Sequence, residues 1–165
     1  MRKLTLTIIS LLTLLTPLCG KAQINTDQVI QIGRNALYFE DYVLSIQYFN
    51  QVIDAKPYLA QPYFYRALAK FNLDDLQGAE QDATTAIEHN PFIVDAYEIR
   101  GVARQNLGKA KEAIADYDHA LTMLPENRGL LYNKALAQES IKDYDGAAES
   151  YATLIEAYPS WDAAY

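Results

Sequence analysis

Apolar residues recur three and four positions apart through most of this chain, in segments of roughly 12–14 residues separated by short polar stretches. Between residues 94 and 127, Tyr97, Gly101 and Arg104 mark one face of a first segment. Ala113, Tyr117 and Ala120 mark one face of a second. Spacings of three and four place side chains on the same side of a helix. Leu107-Gly108-Lys109 lies between the two segments and reads as a turn, because glycine accepts backbone conformations that other residues resist. The same reading puts turns at Asn72-Leu73-Asp74-Asp75 and near Lys142-Asp143. No stretch keeps up a period of two, and alanine is abundant, so strands are not expected. Helices this short are marginal alone in water and must bury a face against neighbours.

The segments repeat. Pro57, Pro91, Pro125 and Pro159 stand 34 residues apart, each placed to stop a helix. Pro62 falls instead near the first turn of a helix, where the missing N–H costs little. With each of the four spaced prolines as position 32, the units run 26–59, 60–93, 94–127 and 128–161. Position 8 is Gly33, Ala67, Gly101 and Ala135, and position 20 is Ser45, Ala79, Ala113 and Ala147. Position 24 is Phe49, Ala83, Tyr117 and Tyr151. Small residues recur where two backbones must approach closely, and large apolar ones where a neighbouring helix must be filled in. A fixed period of this length is the mark of a stacked helical array. On these positions the chain resembles the tetratricopeptide repeat over residues 26–161. The resemblance implies an all-α, right-handed solenoid of antiparallel helix pairs without a β-sheet. Arg66, Arg100 and Lys134 depart from it at position 7, where the family usually has leucine, and Ala83 is small for position 24.

Composition narrows the partner. Half the residues are hydrophobic, with 13 Tyr, 5 Phe and 1 Trp, which is a folded composition. A net charge of −7 argues against nucleic acid, whose phosphates need a basic face. Residues 1–22 read as a secretory signal: Arg2 and Lys3, an apolar run from Leu4 to Leu18, then Gly20-Lys21-Ala22 before Gln23. The run is too short to span a bilayer as a stable helix. The expected location is the periplasm or cell envelope, with no membrane span in the mature region. Cys19 is the only cysteine, so no intramolecular disulfide can form. A lipoprotein anchored at Cys19 is the alternative, although Leu18 is a poor residue to precede it. At the other end, residues 162–165 align with the opening of a fifth unit, which suggests a longer array or a multidomain chain.

Catalytic groupings are missing from the sequence. His89 and His119 share no position in the period, and no metal-binding H-E-x-x-H, phosphate-binding glycine loop or G-x-S-x-G occurs. Asp116-Tyr117-Asp118-His119 gathers possible ligands, but residues two apart diverge on a helix, so the segment reads as a solvated surface. The expectation is no enzyme, no metal and no cofactor.

Binding remains. In the resembled family the first helix of each pair lines a concave groove that holds a peptide or partner helix. Carried onto this chain, that groove comprises Ile30, Arg34, Phe64, Tyr65, Leu68, Phe71, Glu98, Ile99, Val102, Tyr132 and Leu136. Some family members capture a C-terminal carboxylate with a basic clamp. Ile30, Tyr65 and Ile99 occupy clamp positions here, and Asn72, Asn106 and Asn133 cannot supply the missing charge. With Asp27, Asp95, Glu98 and Glu139 on the wall against Arg34, the groove suits an apolar or basic segment better than an acidic tail. The expected function is a non-catalytic scaffold of the bacterial cell envelope. The alternative is the extracytoplasmic sensor region of a larger signalling protein.

Overall fold

The computed structural model describes residues 25–159. The predicted signal segment, Cys19 and the opening of a fifth unit lie outside them. Eight helices are present among the described residues, and no strand. In chain order they are α1 (Thr26–Tyr38), α2 (Tyr42–Ala55), α3 (Ala60–Asn72), α4 (Leu76–His89), α5 (Val94–Asn106), α6 (Ala110–Met123), α7 (Arg128–Ser140) and α8 (Tyr144–Ala157). Each helix packs on the one before and the one after. Odd-numbered helices also touch the next odd one, α1 with α3, α3 with α5 and α5 with α7. The odd helices therefore form one continuous wall.

Each pair turns in the same way. The last turn of α1 closes with Glu40 N–H on the Leu37 carbonyl (3.1 Å) and Asp41 N–H on that of Ala36 (2.8 Å). The pattern recurs at Asp74 and Asp75, Gly108 and Lys109, and Lys142 and Asp143. It satisfies carbonyls that a helix end would leave without partners, and it needs a left-handed residue. Glu40, Asp74, Gly108 and Lys142 all have φ between +62° and +76°. Only one of the four is glycine. The residue that ends each turn then starts the next helix. Asp41, Asp75 and Asp143 accept the N–H of Leu44, Gly78 and Gly146 as N-caps. Lys109 cannot cap, and its ammonium instead reaches Glu80 at 2.6 Å.

Beyond α2, α4, α6 and α8 comes a single non-helical residue (Lys56, Asn90, Leu124 and Tyr158) and then the spaced proline. Pro62 is buried in the first turn of α3.

At position 8, the two glycines accommodate rings rather than a second backbone. A Cβ on Gly33 would come within 2.8 Å of the Phe49 ring, and one on Gly101 within 2.5 Å of the Tyr117 ring. Phe49 and Tyr117 are fully buried, and Tyr117 donates its O–H to Gln105 at 3.2 Å. The second pair has Ala67 and Ala83 at the matching places, clustered with Ile99.

The departures at position 7 form a partly buried charged seam. Arg66 donates to both carboxylate oxygens of Asp82 at 2.7 and 2.6 Å, and to Asn50 of the preceding pair at 2.6 Å. Arg100 repeats the arrangement with Asp116 and Thr84. Lys134 reaches Asp118 at 2.7 Å. Lys70 and Arg104 add second cations to Asp82 and Asp116. In the fourth pair the corresponding bond is neutral, with Ser150 donating to Gln138 at 2.7 Å. The reading of residues 116–119 as a solvated surface holds for Asp118 and His119, which are exposed, and is corrected for Asp116 and Tyr117. Asp116 is 3% exposed, Tyr117 is in the core, and the His119 ring lies 4.4 Å from that of Tyr97. Asp116 turns inward because Arg100 already occupies the seam and needs a counter-charge.

Candidate binding groove

The wall of odd helices carries three adjoining hollows. The first, about 640 Å³, lies over α1, α3 and the start of α5, and includes Asp27, Ile30, Phe64, Tyr65 and Asp95. The second, about 380 Å³, is bounded by Phe64, Leu68 and Phe71 of α3 and by Asp95, Glu98, Ile99 and Val102 of α5. The third, about 410 Å³, joins α1 to α3 through Arg34, Leu37, Tyr38, Tyr65 and Leu68. Phe64 and Asp95 are common to the first two, Tyr65 to the first and third, and Leu68 to the second and third.

Most of the residues assigned to the groove from the sequence therefore come together here. Ile30 and Ile99 are largely buried (each 8% exposed) and form its floor. Phe64, Tyr65, Leu68, Phe71 and Val102 are half-buried and offer apolar surface. Tyr132 and Leu136, on α7, line none of these three hollows. Tyr132 faces Tyr151 instead, with ring centroids 6.3 Å apart. Sequence reasoning missed the inter-pair connections. Tyr58, Leu59, His89, Asn90 and Ile93 border the first hollow. The usable signal was the position of the spaced prolines, since the residues around them carry the chain back to the odd-helix wall.

Ala83 sets the second pair apart beneath these apolar side chains. The first and third pairs fill that position with Phe49 and Tyr117. An alanine there leaves Phe64, Leu68 and Phe71 packed only in part on Ala67, Ala83 and Ile99.

The groove's charges are distributed unevenly. Arg34 lies over the Tyr65 ring, 5.3 Å from its centroid, as a cation–π contact. Asp95 and Glu98 are three residues apart on α5 and border the same hollow. Glu98 accepts only a long bond from the Asn133 amide, at 3.4 Å. Burial, and secondarily the negative charge of Asp95, push its carboxyl above the ordinary value of 4.5. Glu80, in the seam, behaves in the opposite way. Burial would raise it, but hydrogen bonds from Lys109 and Arg104 outweigh that and hold it below the ordinary value.

Comparison with known proteins gives the family. The tetratricopeptide repeat pattern matches residues 64–127 and 100–160, more than half of the sequence. The chain belongs to the tetratricopeptide repeat family. Among curated tetratricopeptide relatives, it is 34% identical over 113 residues to Translocon at the outer membrane of chloroplasts 64 of Pisum sativum, covering 66% of this chain and 19% of that one. It is 31% identical over 93 residues to Serine/threonine-protein phosphatase 5 of Homo sapiens, covering 55% and 19%. The chain thus spans about a fifth of the length of these two relatives. A MamA crystal structure superposes with a TM-score of 0.80 at 20% identity, covering 88% of this chain and 85% of that one, a likeness of fold. The first tetratricopeptide domain of Spaghetti (RPAP3), bound to the HSP90 peptide SRMEEVD, superposes with a TM-score of 0.69 at 28% identity, covering 70% and 92%.

Proposed function

We propose that this tetratricopeptide protein is a non-catalytic scaffold that holds an extended apolar or basic segment of a partner protein along its odd-helix wall. The observation that carries this reading is the continuous run of three hollows, apolar at its centre and edged by Asp27, Asp95 and Glu98. Aromatic anchors in partly buried pockets dominate such interfaces, and Phe64, Tyr65 and Phe71 are of that kind. The likeness to a domain holding an HSP90 peptide supports peptide binding. The acidic SRMEEVD chemistry does not transfer, because Ile30, Tyr65 and Ile99 stand where a basic clamp would be.

The leader over residues 1–22 supports export and action in the periplasm or cell envelope. Among the described residues no helix is long and apolar enough to cross a membrane. A photo-crosslinking amino acid at Leu68 tests the reading in cells. It is expected to capture a partner saturably and to lose it when Phe71 is changed to serine. Equal capture from the exposed Val43 of α2, unaffected by Phe71→Ser, would overturn it.

A further inference from the structure

We propose that Asp95 and Glu98 form a cation-recognising subsite beside the Phe64–Leu68–Phe71 pocket, so that the groove selects a segment in which an aliphatic or aromatic residue is followed or preceded, within two residues, by lysine or arginine. This rests on the groove reading above and gives it a specificity.

The argument is one of charge complementarity across an apolar surface. Both carboxylates border the 380 Å³ hollow that the two phenylalanines and Leu68 also line. The ion pairs among the described residues join Arg66, Lys70, Arg100, Arg104, Lys109 and Lys134 to Asp82, Asp116, Glu80 and Asp118. None of these pairs involves Asp95 or Glu98. The chain pairs its seam carboxylates with its own cations and leaves exposed Asp95 and half-buried Glu98, one turn apart beside apolar surface, without one. An ammonium there meets two acceptors, while its aliphatic stem covers the rim of the pocket. The spacing follows from extended backbone. Alternate side chains face the same wall about 6–7 Å apart, so an apolar residue and a cation two positions from it can both enter the hollow that these residues share.

The experiment screens the purified full chain against a randomised library of acetylated, amidated nonapeptides. The best sequence is then compared with its own lysine→norleucine form, which keeps the stem and removes the charge. Selected peptides are expected to pair Leu, Ile, Met or Phe with a nearby Lys or Arg. The norleucine form is expected to bind about tenfold more weakly. Glu98→Gln combined with Asp95→Asn should bring that ratio close to one. If the combined variant lost helicity, the norleucine comparison on the unmodified chain decides alone. Peptides that bind, and are lost on Phe71→Ser, but show no preference for lysine would overturn the subsite and leave the groove standing. No saturable binding would overturn both. Self-association abolished by Phe71→Ser would put a second copy in the groove and also overturn the proposal.

Discussion

The carboxylates of the seam and those of the groove are treated in opposite ways. In the seam, Asp116 receives hydrogen bonds from Arg100 and Arg104, and Asp82 receives them from Arg66 and has an ion pair with Lys70. In the groove, Asp95 and Glu98 lie beside each other, and Glu98 receives one amide at 3.4 Å. The contrast teaches how to read charge in a helical array. A carboxylate whose cations come from the neighbouring helices belongs to the architecture. A carboxylate left with another carboxylate at the edge of an apolar hollow is arranged for something that arrives.

The largest expected effect lies in the seam. Asp116→Ala strands two guanidiniums in a mostly buried site and is predicted to cost about 3–5 kcal/mol in chemical denaturation. Replacing Arg100 and Asp116 together by leucine is predicted to cost less, because Arg100 leaves with its partner and Arg104 keeps Glu80. An equally large loss in the double variant would mean that the seam charges do more than satisfy each other. Phe71→Ser comes next. It should remove partner capture and leave helicity by circular dichroism nearly unchanged, since Phe71 is packed only in part on the cluster below. Loss of helicity would make it a core residue and weaken the groove reading.

A smaller effect separates the two sets of carboxylates by sign. Glu98 has a raised folded pKa, so its ionisation penalises the native state at neutral pH. Glu98→Gln should therefore be the more stable protein there, with the advantage fading as pH falls through the raised value to below 4.5. Glu80 has a lowered folded pKa and stabilises the native state above 4.5. Glu80→Gln should therefore be the less stable protein at neutral pH, and its deficit should close only as pH falls through the lowered folded value. Denaturant midpoints measured across that range check both. Effects of the same sign would erase the distinction.

The smallest prediction concerns the turns. Lys142→Gly relieves a left-handed lysine and should be neutral or stabilising by up to about 1 kcal/mol, whereas Gly108→Ala should cost about 1 kcal/mol.

Much of this was legible in the sequence, for identifiable reasons. The spaced prolines and the turn at Gly108 act locally, through a fixed φ and a left-handed one, so helix ends could be read residue by residue. The groove residues on α3 and α5 were legible because a helical period assigns faces. The seam was half-legible. Arg66, Arg100 and Lys134 stood out as departures, but their partners are set by how one helix crosses the next. Asp82 and Asp116 each lie 16 residues beyond their arginine, a recurrence within the 34-residue period that would have found them. The connections at Tyr58 and Ile93 stayed hidden, because their place on the odd-helix wall depends on the path each proline imposes.

The central claim is that Glu98 meets a cation from the partner. A charge-swap cycle tests it most directly, using the best lysine-bearing peptide and its lysine→glutamate form against the native chain and Glu98→Lys. The account predicts that each single change weakens binding by about tenfold or more, and that the two together restore most of it. If the losses simply add, Glu98 does not face the partner's charge, and the account is contradicted.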